Sequence, residues 1–234
     1  MIDTLPVDMR AIEGAFARAQ LYGALASALG EPKRTLDEAA VASLESAAST
    51  VDDRVGLSAE VAGLQAAIPS LRADPRILDR EYATLFLKGE VPPFEASYAP
   101  GMRLTQELAD VAGFFRAFGV KTRDERPDHL VSELELMAFL CLKEAIALGN
   151  RLSTEADVCR QAQAAFLRDH LGRWVSIFAR GVSERASLPV YPLLLRMVEK
   201  TVAHDASVLG VVPEAIVEVP SRDADNLPRC GVVP

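Results

Sequence analysis

The chain has 234 residues, half of them apolar, and carries 25 Lys and Arg against 33 Asp and Glu for a formal charge of −8. That composition excludes a disordered, collagen-like or disulfide-scaffold chain and leaves one compact domain or two small ones. A net-acidic chain has no general attraction for phosphate backbones, and no basic stripe interrupts it, so no nucleic-acid partner is expected.

Helical periodicity runs almost throughout. From Ile12 the apolar positions Phe16, Ala19, Tyr22, Ala26 and Leu29 recur until Gly30-Glu31-Pro32 stops the helix. An Ala-rich helix is predicted over 35–48 and another over 58–68, ending before Pro69. A fourth follows Asp74-Pro75, with Leu78, Tyr82, Leu85 and Phe86 on one face and Gly89 as its stop. Leu104, Leu108, Val111, Phe115 and Phe118 then form a single stripe closed by Gly119. Pro127 at a first helical position opens the next helix, which turns Leu130, Leu134, Met137, Cys141 and Ala145 inward and ends at Gly149-Asn150. A long helix over 156–179 buries Cys159, Phe166, Trp174 and Phe178. The last, over 190–205, buries Tyr191, Leu194, Leu195, Val198 and Val202. No period-2 strand is convincing outside 211–219.

The expected fold is an all-α, single-domain bundle of about eight helices over residues 1–206. Two segments interrupt it. An irregular connector, 89–102, holds Pro92, Pro93, Pro100 and Gly101 and cannot be helical throughout. A polar hinge spans 120–127. The tail, 207–234, is expected to be extended or partly disordered. Cys141, Cys159 and Cys230 are too scattered for a disulfide framework, which fits a reducing compartment. The N-terminus lacks the basic start and apolar run of a secretory signal. The densest apolar run, 137–142, falls far short of the roughly 18–20 residues that cross a bilayer. A cytoplasmic protein without stable membrane association is expected.

Enzyme signatures are sparse. His129 and Glu133 stand at i and i+4 and face one side of a helix, but two ligands do not make a metal site, so no metal is expected. No phosphate-cradling glycine loop and no nucleophile elbow occurs, so no cofactor and no catalytic residue is assigned. Glu125-Arg126-Pro127-Asp128-His129-Leu130 is the most unusual local composition. Helix capping accounts for Pro127 and Asp128 but leaves His129 unexplained. The loop Val91-Pro92-Pro93-Phe94-Glu95-Ala96-Ser97-Tyr98 reads either as a connector anchored by Phe94 and Tyr98 or as rigid aromatics beside a groove that receives an apolar peptide.

Two blocks carry a resemblance. Glu81-Tyr82-Ala83-Thr84-Leu85-Phe86, then Gly89, then Pro93-Phe94-Glu95-Ala96-Ser97-Tyr98 resembles one motif stretch of the TorD/DmsD/NarJ family of molybdoenzyme maturation chaperones. Glu125-Arg126-Pro127-Asp128-His129-Leu130, with Glu133-Leu134 and Met137, resembles that family's second stretch. His170-Leu171 with Trp174, and the helix from Tyr191, add a looser similarity. Ala96 separates Glu95 from Ser97, where many members have the two adjacent, and the tail has no counterpart.

The resemblance implies a non-catalytic, cytoplasmic chaperone. Its partner would be an apo-oxidoreductase catalytic subunit that takes a molybdenum cofactor, its twin-arginine leader, or both. Tyr82, Phe86, Phe94 and Tyr98 would receive the apolar stretch of that partner. Glu125, Asp128 and Glu95 would face its arginine pair, with Pro127, His129 and Glu133 completing the site. An alternative from another class is a nucleotide-binding or nucleotide-hydrolysing enzyme built on Asp128 and His129. A monomer or a domain-swapped homodimer is expected.

Overall fold

Asp8 starts the first helix, α1 (Met9–Leu29), by accepting the Ala11 N–H at 3.1 Å. In this computed structural model, residues 8–31, 36–51, 53–99, 104–122 and 126–218 are described. Asp37 caps α2 (Glu38–Thr50) in the same way through the Ala40 N–H at 2.9 Å. Helix α3 (Ser58–Ala73) does not stop before Pro69 but carries it inside. The expected stop fails because Ile68 and Leu71, buried on either side of the proline, hold both turns in the core. Helix α4 (Ile77–Tyr82) runs on into a π-turn, Ala83–Leu87, so Leu78, Tyr82, Leu85 and Phe86 all face inward.

Helix α5 (Leu104–Ala117) follows the connector, and α6 (Leu130–Gly149) follows the hinge. Helix α7 (Ser153–Phe166) passes through a second π-turn, Leu167–Leu171, into α8 (Gly172–Arg185), and α9 (Val190–Leu209) closes the bundle. With α7 and α8 counted as one rod, these make eight helices among the described residues, and no strand occurs there. The expectation of an all-α fold holds.

Helices α1 and α6 lie antiparallel at the centre. A Cβ on Gly23 would sit 4.0 Å from that of Ala138, so the backbones approach closely there. Further along the pair, Arg18 donates to Glu144 at 2.7 Å, to Gln163 at 2.8 Å and to Asp205 at 3.2 Å. Gln163 also donates to Glu144 at 2.8 Å. Four helices, α1, α6, α7 and α9, are thereby tied by one arginine. Phe16 departs from its expected place: it is 47% exposed, while Ala15, Ala17 and Leu21 take the buried face. Small residues allow the close α1–α6 approach at Gly23 and Ala138.

Helix α9 ends at Gly210, whose φ of 69° is the left-handed cap that glycine supplies. Residues 211–217 have no regular structure, yet they are tied to α8. The Ile216 N–H donates to the Arg173 carbonyl at 2.8 Å, and Arg180 donates to the Val217 carbonyl at 2.8 Å. Cys141 and Cys159 are buried free thiols. No helix among the described residues is long and apolar enough to cross a membrane.

Candidate functional site

The connector and the Asp128–His129 corner meet. The Glu95 N–H donates to the Asp128 carbonyl at 2.9 Å, and the Leu130 N–H donates to the Pro93 carbonyl at 3.0 Å, forming a short antiparallel bridge between Phe94 and His129. Below it, Ala96 N–H reaches the Asp128 carboxylate at 3.3 Å. Asp128 is 0% exposed and takes Arg126 in a two-pronged ion pair, Nε at 2.9 Å and Nη2 at 2.7 Å. The same guanidinium lies 4.6 Å above the Phe94 ring, and His129 meets that ring edge-on at 5.2 Å.

Helix α6 does not begin at Pro127. His129 is its N-cap: the imidazole Nδ1 accepts the Val131 N–H at 3.2 Å, and the ring NH of the neutral imidazole is then on Nε2. Pro127 and Asp128 form the turn before the helix. This accounts for the one residue that capping by Pro127 and Asp128 left unexplained, because a neutral imidazole nitrogen accepts as a carboxylate or hydroxyl would.

Behind the bridge lies a buried polar layer. His170, on the π-turn, places Nδ1 3.2 Å from both oxygens of Glu95. The Trp174 indole N–H donates to Glu133 Oε2 at 3.0 Å. Tyr98 stacks on Trp174 at 5.5 Å and donates its hydroxyl to the Pro92 carbonyl at 3.1 Å. Burial pushes the Glu95 carboxyl above the usual carboxylate range, against the opposing pull of His170. Burial, and then the neighbouring Glu95, push Glu133 well above it. The π-turn matters locally, since one extra residue in that turn re-aims His170 toward the connector while Phe166 and Trp174 stay in the core.

The ten expected site residues therefore part company. Tyr82 and Phe86 join Phe178 and Tyr191 in an aromatic core, with ring centroids 5.0–6.2 Å apart. Glu95, Tyr98, Asp128, His129 and Glu133 are brought together but buried. Phe94 and Pro127 are half-buried, and Glu125 lies outside the described residues. Between the connector, the corner and Phe178 only about 10 Å³ remains, room for at most one water. The charge that reaches the surface beside Phe94 is the cation of Arg126, whose side chain is 50% exposed.

Three participants were not anticipated as site residues: His170, Trp174 and Glu107. His170 and Trp174 stand at i and i+4, a spacing that does place both on one helix face. Glu107 of α5 brings a carboxylate oxygen to Glu95 and His170, so that one ligand atom from each lies within 4.8 Å of the others. Beside them opens a cavity of about 700 Å³ lined by Glu107, Asp110, Phe114, Asp169, His170 and Arg173.

Fold and site together define an all-helical protein whose proline-aromatic connector is stitched to the first turn of a central helix over a layer of buried acids. Residues 23–180 match the family described as the nitrate reductase delta subunit, and the chain belongs to that family. It is 34% identical to a selenate reductase assembly chaperone protein of Thauera selenatis over 44% of this chain and 56% of the relative. It is 36% identical to a chlorate reductase assembly chaperone protein of Ideonella dechloratans over 43% of this chain and 55% of the relative. The chain thus spans about half the length of these two. To a perchlorate reductase assembly chaperone protein of Dechloromonas aromatica it is 29% identical over 82% of this chain and 90% of the relative.

Proposed function

We propose that this protein is a non-catalytic chaperone that binds the apo form of a molybdenum-dependent reductase catalytic subunit, or its twin-arginine leader, and holds it competent for cofactor insertion and assembly or export. The observation that carries the reading is the family match over residues 23–180, which takes in both the connector and the Asp128–His129 corner. Three relatives, assembly chaperones of a selenate, a chlorate and a perchlorate reductase, point the same way.

The geometry refines how the contact works. In this reading the buried members, Tyr82, Phe86, Glu95, Tyr98, Asp128, His129 and Glu133, form the platform. Phe94, Pro127 and Arg126 are what a partner meets first. Leu87, 67% exposed at the end of the first π-turn, adds apolar surface on the segment leading into the connector. A partner's arginine reaches Asp128 only by displacing Arg126, so the arginine pair exchanges with a cation already in place. Burial of apolar surface then sets affinity, and charge sets orientation and on-rate. Hydrolysis by the Asp128–His129 pair finds no support in the geometry. The carboxylate is held by Arg126 and Ala96, and Nδ1 of the imidazole by Val131.

The test is calorimetric titration of the purified chain with the apo form of a molybdenum-dependent reductase catalytic subunit from the same organism, and separately with that subunit's leader peptide. Phe94→Ala should weaken binding roughly tenfold, as expected for an aromatic anchor worth about 1.4 kcal/mol or more. Arg126→Ala should tighten binding of the arginine pair by vacating Asp128. Wild-type affinity in both variants, with intact helicity by circular dichroism, sinks this contact face. Sustained nucleotide turnover by highly purified protein sinks the non-catalytic reading.

A further inference from the structure

We propose that Glu95, Glu107 and His170 form a binding site for one divalent first-row transition-metal ion, for which zinc is the probe. The three come from separate parts of the fold: the short 3-10 turn Glu95–Ser97 in the connector, helix α5, and the π-turn Leu167–Leu171. No spacing along the chain announces them. Tertiary structure alone sets one imidazole nitrogen and two carboxylate oxygens within 4.8 Å of one another.

The arrangement is close to what a bound ion requires. Zinc holds nitrogen and oxygen ligands at about 2.0–2.2 Å, which places neighbouring ligand atoms roughly 3.3–3.5 Å apart in a tetrahedral shell. Nδ1 of His170 is already 3.2 Å from each Glu95 oxygen. The remaining adjustment falls to Glu107, whose side chain keeps 12% exposure at the rim of the 700 Å³ cavity and is free to turn inward. That cavity supplies an entry route and room for a water as a further ligand. Arg173 is the competitor. Its Nη1 stands 3.7 Å from Glu107, beyond hydrogen-bond length, and also donates to the Asp169 carbonyl, so it can give up the carboxylate without losing all its partners.

A second observation points to a cation independently. Glu133 is wholly buried within hydrogen-bond reach of Glu95, and its Oε2 takes the Trp174 indole. Two adjacent carboxyls in a desolvated layer call for a proton or a positive charge between them. A divalent ion on Glu95 supplies it. The mixed nitrogen and oxygen ligand set selects among ions. Imidazole disfavours the hard magnesium and calcium ions, and the absence of a thiolate or thioether among the three disfavours monovalent copper. Bound there, the ion clamps the connector and α5 to the α7–α8 rod.

The experiment uses the full chain, stripped with a chelator and titrated calorimetrically with zinc chloride. Imidazole resonances are followed by NMR, which three histidines make simple to assign. One equivalent should bind, and the His170 resonances should move while those of His204 stay. Glu107→Gln, at the rim and harmless to the core, should weaken binding at least about tenfold. His204→Asn should leave it unchanged. No saturable binding, zinc taken up without movement of the His170 signals, or equal affinity in Glu107→Gln would each overturn the site.

Discussion

Two buried polar clusters lie within one bundle, and they are neutralised in different ways. Around Arg18 the charge is permanent. A guanidinium that stays ionised at any accessible pH faces Glu144, Asp205 and Gln163, and the cluster ties four helices regardless of conditions. Around Glu95 and Glu133 the partners are an imidazole and an indole, neither of which is a fixed cation. Burial there favours the protonated carboxyl, so the layer under the connector depends on a proton or a cation where the α1–α6 seam does not. The first cluster holds the scaffold together, and the second can respond to its surroundings.

The sharpest way to break the contrast is at its rigid end. Arg18→Met leaves Glu144 and Asp205 buried without their cation, and should cost about 3–5 kcal/mol in urea denaturation. A loss below about 1 kcal/mol would show that the tie is ornamental. Next comes Gly172→Ala, where the new Cβ would collide with the Leu167 carbonyl and with the Pro213 ring. Overpacking against backbone should cost about 1–3 kcal/mol and speed hydrogen exchange at the Ile216 amide, which is bonded to Arg173.

At the responsive end, Glu133→Gln keeps the shape and the acceptor for Trp174, and below pH 4.5, where the carboxyl is protonated folded and unfolded, should cost under about 1 kcal/mol. Its signature is the pH dependence. A carboxyl with a raised folded-state pKa stabilises fully below its unfolded value near 4.5 and loses that contribution as pH climbs toward the folded value. Wild-type stability relative to Glu133→Gln should therefore fall above pH 4.5, by at most about 1.4 kcal/mol per unit for the single proton. A constant difference between pH 4 and 7 would mean that Glu133 titrates normally.

Most of the fold was legible because helix periodicity survives in single sequences. Leu130, Leu134, Met137, Cys141 and Ala145 are all buried as their spacing requires. The failures have physical causes. Pro69 signals a stop because propensity is local, whereas the core contacts that carry α3 past it are not. The apolar period includes Phe16, yet Ala15 and Ala17 take the buried positions beside it and Phe16 is 47% exposed. The candidate site was legible in part. Its motif residues converge, but their burial depends on how the connector folds back, and no periodicity records that. His170 could be paired with Trp174 by spacing, and Glu107 could not be paired with anything.

The backbone bridge between Phe94 and His129 also has a topological meaning. It pins Glu95 to Asp128 across a neck, with α5 carried on the stretch of chain between them and packed back on the core through Val111 and Phe115. A single backbone nick within α5 would therefore yield two fragments that remain zipped at that neck and migrate as one particle until denatured.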